Sequence, residues 1–168
     1  MNKHLKLVKE LHETLSLPKT NTGAAGHFSD MDIVKHQALL MQAGSTTLKA
    51  INVGEMVDVL LGLVQLATVA VEAIADQAGD VIETPVAWRH DGSVVSVMRT
   101  LADKINQCSS GKTEDYSAVY CLCVHLTRSF INADFDKAFR IFVESRQHAG
   151  LQSLKPPTAP DLSDCLYE

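Results

Sequence analysis

The sequence lacks a surplus of basic residues. Its 168 residues include 15 lysines and arginines against 20 aspartates and glutamates, which gives a net charge of −5. A protein that binds a nucleic-acid polymer neutralises backbone phosphates with Lys and Arg, so this composition argues against that class of function. An acidic protein can still bind a nucleotide when a cation bridges the two negative partners.

The sequence also lacks the cysteine patterns of a zinc knuckle or a disulfide framework. It has four cysteines and no CxxC pair among them: Cys108, Cys121, Cys123 and Cys165. Free thiols are typical of a reducing compartment, so the cysteine usage predicts a cytoplasmic protein. The N-terminal stretch MNKHLKLVKELHETL carries charges throughout and has no apolar signal core.

A membrane span is not expected either. The apolar run from Val59 to Ala75 contains Gln65 and Glu72. It falls short of the about 20 consecutive apolar residues that a spanning helix requires. This run therefore predicts a buried helix of a bundle, with no membrane as a partner.

Long stretches with period-2 alternation are absent, and the helical period dominates the chain. The sequence therefore predicts an all-α fold, a bundle of about six helices with a four-helix core. We expect a single helical-bundle domain over residues 1–150 and a Pro-rich tail over residues 151–168, which is extended or disordered.

The helix boundaries follow from caps and breakers. The first predicted helix runs from Lys3 to Leu15, and the second runs from Ser29 or Asp30 to about Gly44. The third begins at an N-cap, Asn52, and Glu55 completes its capping box. The last three begin at Asp91 or Ser93, at Thr113, and at an N-cap, Asp134. The third and fifth helices are apolar on most faces, so we expect them to be central. In a chain of this size part of their cover is expected from a second copy, which predicts a homodimer or a homotetramer.

The third predicted helix contains a stripe of mainly polar residues. Its members are three or four residues apart, and this spacing places them on one face of the helix. The stripe consists of Glu55, Asp58, Gly62, Gln65, Glu72 and Asp76. One interpretation is a face turned to solvent, with the first two acids favoured by the helix dipole. The other is a magnesium site, because Mg²⁺ takes one or two carboxylates together with water and substrate phosphate.

Other catalytic motifs are missing or incomplete. The stretches GSTT (44–47) and SSGKT (109–113) contain residue types that suit phosphate binding, but they lack the spacing of a P-loop. The seven histidines form no HExxH pair, and residue order alone does not reveal a Ser–His–Asp set.

Three segments together resemble the all-α nucleoside triphosphate pyrophosphohydrolase superfamily, which includes MazG-like proteins and phosphoribosyl-ATP pyrophosphohydrolases. VKELHETLSLP is similar to the first helix of that family, GEMVDVLLGLVQLA to its ExxD helix, and INADFDKAFRIFVESR to its closing helix. The resemblance implies an oligomeric helical bundle that hydrolyses a nucleoside triphosphate to the monophosphate and pyrophosphate with Mg²⁺ as cofactor. It implies that Glu55 and Asp58 are the catalytic metal ligands.

Family members hold the metal with a second acid pair, and two alignments remain open for it here. The helix before the ExxD pair offers only Asp30 and Asp32, whereas a shifted alignment draws on Asp103 and Asn106, or on Glu114 and Asp115. We expect Asp103 or Asp32 to complete the metal shell.

Candidate substrate contacts come from cationic, polar and aromatic side chains: Lys104, Arg146, Asn106 and Trp88. The alternative function is a non-catalytic nucleotide-binding or assembly protein on the same scaffold, with a degraded acidic site.

Overall fold

The fold is all-α, as the sequence predicted. The computed structural model describes residues 1–15, 27–87, 93–151 and 158–167. The six helices are α1 (Lys3–Thr14), α2 (Asp30–Val53), α3 (Met56–Asp76), α4 (Val94–Gln107), α5 (Thr113–Leu126) and α6 (Phe135–Leu151). Short helical turns follow α4 and α5 at Cys108–Ser110 and Thr127–Ile131, and a third lies at Ser163–Cys165.

Several predicted helix starts are confirmed by their caps. The Ser93 hydroxyl accepts a hydrogen bond from the backbone N–H of Ser96, and α5 begins at Thr113. The Asp134 carboxylate accepts from the N–H of Lys137 at 3.0 Å. These polar side chains satisfy N–H groups that have no partner within the helix, which is why they mark the helix starts in the sequence.

The predicted boundary between α2 and α3 was wrong. Helix α2 passes through Gly44 and continues to Val53, so Asn52 lies in its last turn and is not an N-cap. Gly44 lies within the helix at its contact with α4, where a Cβ would lie 2.6 Å from the end of the Ile105 side chain. The chain breaks instead at Gly54, whose φ of 88° suits a residue without Cβ. Glu55 occupies the N-cap position of α3 but makes no side-chain capping bond.

Helix α3 is the core of the bundle, which confirms the prediction that it is central. It packs against α2, α5, α1 and α6. Helices α2 and α3 cross closely at Gly62, where a Cβ would lie 2.8 Å from the Thr47 Cα atom. By length and composition α3 could cross a membrane, yet most of its side chains are buried inside the bundle.

The described part of the C-terminal tail, residues 158–167, packs against the bundle rather than extending into solvent. Leu162 and Cys165 are buried. The N–H of Asp134 donates to the Cys165 carbonyl at 2.8 Å, and the N–H of Tyr167 donates to the Asn132 carbonyl at 3.0 Å. The tail therefore covers the start of α6. The four cysteines are free thiols.

Candidate functional site

Helix α3 carries a carboxylate pair at each end, and the predicted polar stripe does not share one environment. Glu55 and Asp58 are exposed at the N-terminal end. Gly62 is buried against α2, and Glu72 and Asp76 near the C-terminal end are each only 14% exposed. The interpretation of a solvent-facing stripe holds only for the first turn of the helix.

The N-terminal pair follows directly from the turn at Gly54. Glu55 is the residue before the helix and Asp58 lies in its first turn, where the helix dipole favours negative charge. Neither carboxylate makes a hydrogen bond or ion pair with another residue of the described ranges. Two uncommitted hard oxygen ligands facing water are what a Mg²⁺ ion with several retained waters requires.

The other predicted ligands do not join this pair in the single chain. Asp32 is engaged elsewhere, because its Oδ2 accepts from the Ser29 hydroxyl at 2.6 Å and from the Ser29 N–H at 3.0 Å. These bonds hold the pKa of Asp32 below its usual value. Asp103 is exposed on α4. Within the described residues, no group of three or more His, Cys, Asp or Glu side chains is arranged to hold a metal ion.

An open cavity of about 740 Å³ lies between α2 and α4. Its lining residues are Met41, Gly44, Ser45, Leu48, Lys49, Asn52, Val53, Ala102, Ile105 and Asn106. The walls are mainly apolar, and polar groups come from Lys49, Asn52 and Asn106. The cavity reaches the last turn of α2, two residues before Glu55. Of the predicted substrate contacts, Asn106 lines this cavity.

The remaining predicted substrate contacts are placed differently. The Lys104 ammonium donates to the Gln107 side chain at 3.2 Å on the surface of α4. Arg146 forms an ion pair with Glu72. Trp88 lies outside the described residues.

The C-terminal pair belongs to a group that we call the charged cluster: His12, His36, Glu72, Asp76 and Arg146. The His12 ring lies between the two carboxylates, with Nε2 3.9 Å from Glu72 Oε1 and Nδ1 3.9 Å from Asp76 Oδ1. His36 Nε2 lies 3.2 Å from Asp76 Oδ2. Four helices, α1, α2, α3 and α6, contribute to this cluster.

Electrostatics keep Glu72 ionised in spite of its enclosure. Burial raises the pKa of Glu72, but the neighbouring His12 ring and the charge of Arg146 lower it more, so its pKa falls below the usual range. His36 is 2% exposed and stacks on Phe28 with ring centroids 4.7 Å apart. Apart from the spacing of the two acids, no sequence pattern predicts this cluster, because the two histidines lie on other helices.

A third polar group joins α1, α5 and α6. His4 Nδ1 lies 2.7 Å from the Tyr120 hydroxyl, and His4 Nε2 lies 3.1 Å from Asp136 Oδ1. The order acid–His–hydroxyl is that of a catalytic triad. However, His4 and Tyr120 are only 3% and 6% exposed, so a substrate cannot reach them. Burial lowers the pKa of His4 to about 4 and raises that of Tyr120 to about 12, so both are neutral near pH 7. The group ties the N-terminus to the bundle.

No protein-family model matches the sequence, and neither a curated protein nor a solved structure matches it. A functional assignment therefore rests on these residues and their geometry.

Proposed function

We propose that this protein is a Mg²⁺-dependent nucleoside triphosphate pyrophosphohydrolase of the MazG-like kind. The observation that carries the proposal is the state of Glu55 and Asp58. They are the acids of the family-like ExxD helix, and both remain exposed and free of partners within the described residues. By contrast, the Asp32 carboxylate accepts from the Ser29 backbone N–H, and the Glu72 carboxylate pairs with Arg146.

The donor set fits the cofactor. Glu55 and Asp58 supply two hard oxygen ligands, and Mg²⁺ uses one or two carboxylates in sites that also contain substrate phosphate. When bound, Mg²⁺ supplies charge neutralisation of the triphosphate and acidifies a coordinated water. Because neither carboxylate has a partner among the described residues, binding of Mg²⁺ would not require an existing contact to break.

The cavity beside α2 supports a nucleotide as substrate. Its volume of about 740 Å³ lies within the range of small-molecule sites, and apolar walls suit a base. Lys49 supplies a cationic group and Asn52 and Asn106 supply amides in the same cavity. The Lys49 ammonium would bind phosphate oxygens, and the amides would orient the sugar or base.

The test measures pyrophosphate release from a panel of canonical and modified nucleoside triphosphates with and without Mg²⁺. We expect release with at least one nucleotide, and a loss of about 100-fold or more in Glu55→Gln and Asp58→Asn, because each removes a charged metal ligand. Glu144→Gln is the matched control, since Glu144 is an exposed acid of α6 and is not among the proposed metal ligands. The control should keep full activity.

A second function is favoured by the absence of a third ligand beside the pair among the described residues. A non-catalytic nucleotide-binding or assembly protein would use the same scaffold without a complete acidic site. Silence across the whole nucleotide panel, with both variants changing only stability, would reject the hydrolase and leave this alternative. Binding of a nucleotide without turnover, measured by calorimetry, would then separate nucleotide binding from assembly alone.

A further inference from the structure

The cavity between α2 and α4 has two chemically different ends. Along α2 it extends from Met41 to Val53, a span of about 18 Å of helix. Lys49 and Asn52 lie in the second half of that span, close to Val53, which is two residues before Glu55. The end of the cavity nearest to the proposed metal ligands therefore carries its cationic group.

The direction of α4 places Asn106 at the opposite end. The Gln37 amide on α2 donates to the Ile105 carbonyl at 3.0 Å. Beyond the end of α4, a Cβ at Gly111 would lie 2.8 Å from the Ile33 side chain. Successive residues of α4 therefore approach the start of α2, so the two helices run antiparallel. Asn106 follows Ile105 in that direction, away from the cationic end of the cavity.

The end that contains Asn106 is an apolar slot with one amide. Met41 and Ile105 form its walls, and the Ile105 side chain reaches Gly44. Among the described residues that line the cavity there is no carboxylate, no arginine and no aromatic ring. The Asn106 amide supplies one acceptor oxygen and one donor NH₂ group on a short side chain. A ligand group at this end is therefore held by apolar contact and by a single donor–acceptor pair.

We infer that the cavity takes an adenine nucleotide and that Asn106 selects its base. This inference rests on the proposed function and names the substrate class of the same site. Met41, Ser45 and Lys49 follow one another at steps of four residues, which places them on one face of α2 about 6 Å apart. An apolar group, a hydroxyl and an ammonium in this order match the base, the sugar and the phosphates of a nucleotide.

Adenine is the base that the Asn106 end satisfies most completely. An asparagine amide binds the N6 amine and the neighbouring ring nitrogen of adenine together, and these are the two polar groups of that edge. Guanine, cytosine and uracil each present three polar groups on their Watson–Crick edge. One amide pairs with two of them, so the third would remain unpaired against apolar walls at a cost in binding.

The opposite end suits the triphosphate. Lys49 supplies a positive charge, and α3 begins at Met56, three residues after the last residue that lines the cavity. The N-cap residue Glu55 makes no side-chain capping bond, so the first backbone N–H groups of α3 are not used by a cap. A helix N-terminus with such groups favours phosphate. The triphosphate would therefore extend from Lys49 towards Glu55 and Asp58.

The ratio of kcat/KM values for different nucleoside triphosphates tests the assignment of the base. We expect the unaltered chain to prefer ATP over GTP, CTP and UTP by about 10-fold or more. Asn106→Leu should lower kcat/KM for ATP and bring the ratio close to one. Asn106→Asp should shift the ratio towards GTP, because a carboxylate accepts from N1–H and N2–H of guanine but cannot donate to the ring nitrogen of adenine. Gln107→Leu is the matched control, since Gln107 is an exposed amide on the same helix outside the cavity.

A second substitution tests the orientation of the nucleotide. Lys49→Met should lower kcat/KM by a similar factor for all four bases and leave their ratio unchanged, because phosphate is common to all of them. Lys35→Met is the matched control, since Lys35 is an exposed lysine of α2 that does not line the cavity. A base ratio that changes in Lys49→Met and stays constant in Asn106→Leu would reverse the orientation and overturn the inference.

The outcomes separate this inference from the hydrolase. Pyrophosphate release without a preference for adenine, or with a preference that Asn106→Leu leaves intact, would overturn the inference and retain the hydrolase. If no nucleotide is hydrolysed, calorimetric titration with ATP and GTP in the presence of Mg²⁺ decides. Tighter binding of ATP that is lost in Asn106→Leu would support an adenine site without turnover, whereas equal or absent binding would overturn it. Circular dichroism verifies that all variants keep the helical fold.

Discussion

Helix α3 carries a pair of carboxylates at each end, and the two pairs differ in their exposure and in their partners. Glu55 and Asp58 extend into solvent and have no partner among the described residues. Glu72 and Asp76 are enclosed by His12, His36 and Arg146. The same residue types on one helix are therefore exposed at one end and enclosed by other helices at the other. Removing an acid should affect function at the first end and stability at the second.

The largest effect on stability is expected at the enclosed end. Glu72→Gln would leave Arg146 without its carboxylate, and we expect the free energy of unfolding to fall by about 2 kcal/mol. The value is set below that of a fully buried pair because Arg146 is 36% exposed. Urea unfolding at pH 7 measures it. Glu55→Gln serves as the comparison, and its unfolding free energy should change by less than about 0.5 kcal/mol. Equal effects at both ends would refute the contrast.

The same contrast has a pH dependence. The pKa of Glu72 is lower in the folded protein than its ordinary value, so the folded state binds fewer protons through the acidic range. Its contribution to stability is complete above the ordinary pKa of a glutamate and is lost as the pH falls through the lowered, folded-state pKa. The difference in unfolding free energy between the unaltered chain and Glu72→Gln should therefore shrink from pH 7 to about pH 3. A difference that stays constant over that range would show that the ionised carboxylate is not its source.

A smaller effect is expected at the turn that leads into the exposed end. Gly54 has a φ of 88°, and a Cβ there would meet no atom within 4 Å. Gly54→Ala would therefore be strained by its backbone conformation alone, and thermal unfolding should show a loss of about 1 kcal/mol. Gly62→Ala tests a glycine that is needed for close helix packing, because its Cβ would contact the Thr47 backbone. It should lose more stability than Gly54→Ala, and the reverse order would contradict the close crossing of α2 and α3.

Much of the helical framework could be predicted from local signals. Ser93 and Asp134 cap helices as expected, since a side-chain oxygen at a helix start satisfies backbone N–H groups nearby in sequence. The prediction failed at Gly44, which was interpreted as a helix end. Gly44 lies inside α2, where the side chain of Ile105 from another helix approaches it. Sequence periodicity contains no information about that approach, so a packing glycine and a terminating glycine look alike.

In the candidate site too, residues that are close in sequence could be predicted together, whereas residues from different helices could not. Glu55 and Asp58 were chosen as candidates because they lie three residues apart at the start of one helix, and their role as metal ligands stays a prediction. The charged cluster was not, because His12, His36 and Arg146 come from three other helices and are brought to α3 only by the folded chain. The packing of Leu162 and Cys165 against the bundle was not predicted either, because the proline-rich composition indicated an extended or disordered tail.

The helical class, the central place of α3 and most helix starts can be predicted from the residues alone, because helical period and capping are local properties of a chain. Which acids of α3 are exposed and which are enclosed, and which apolar residues of α2 stay exposed, depend on the packing of the helices. The physical reason is that periodicity fixes the direction of a side chain around its own helix. The charge, exposure and partners that it meets in that direction are set by neighbouring helices distant in sequence.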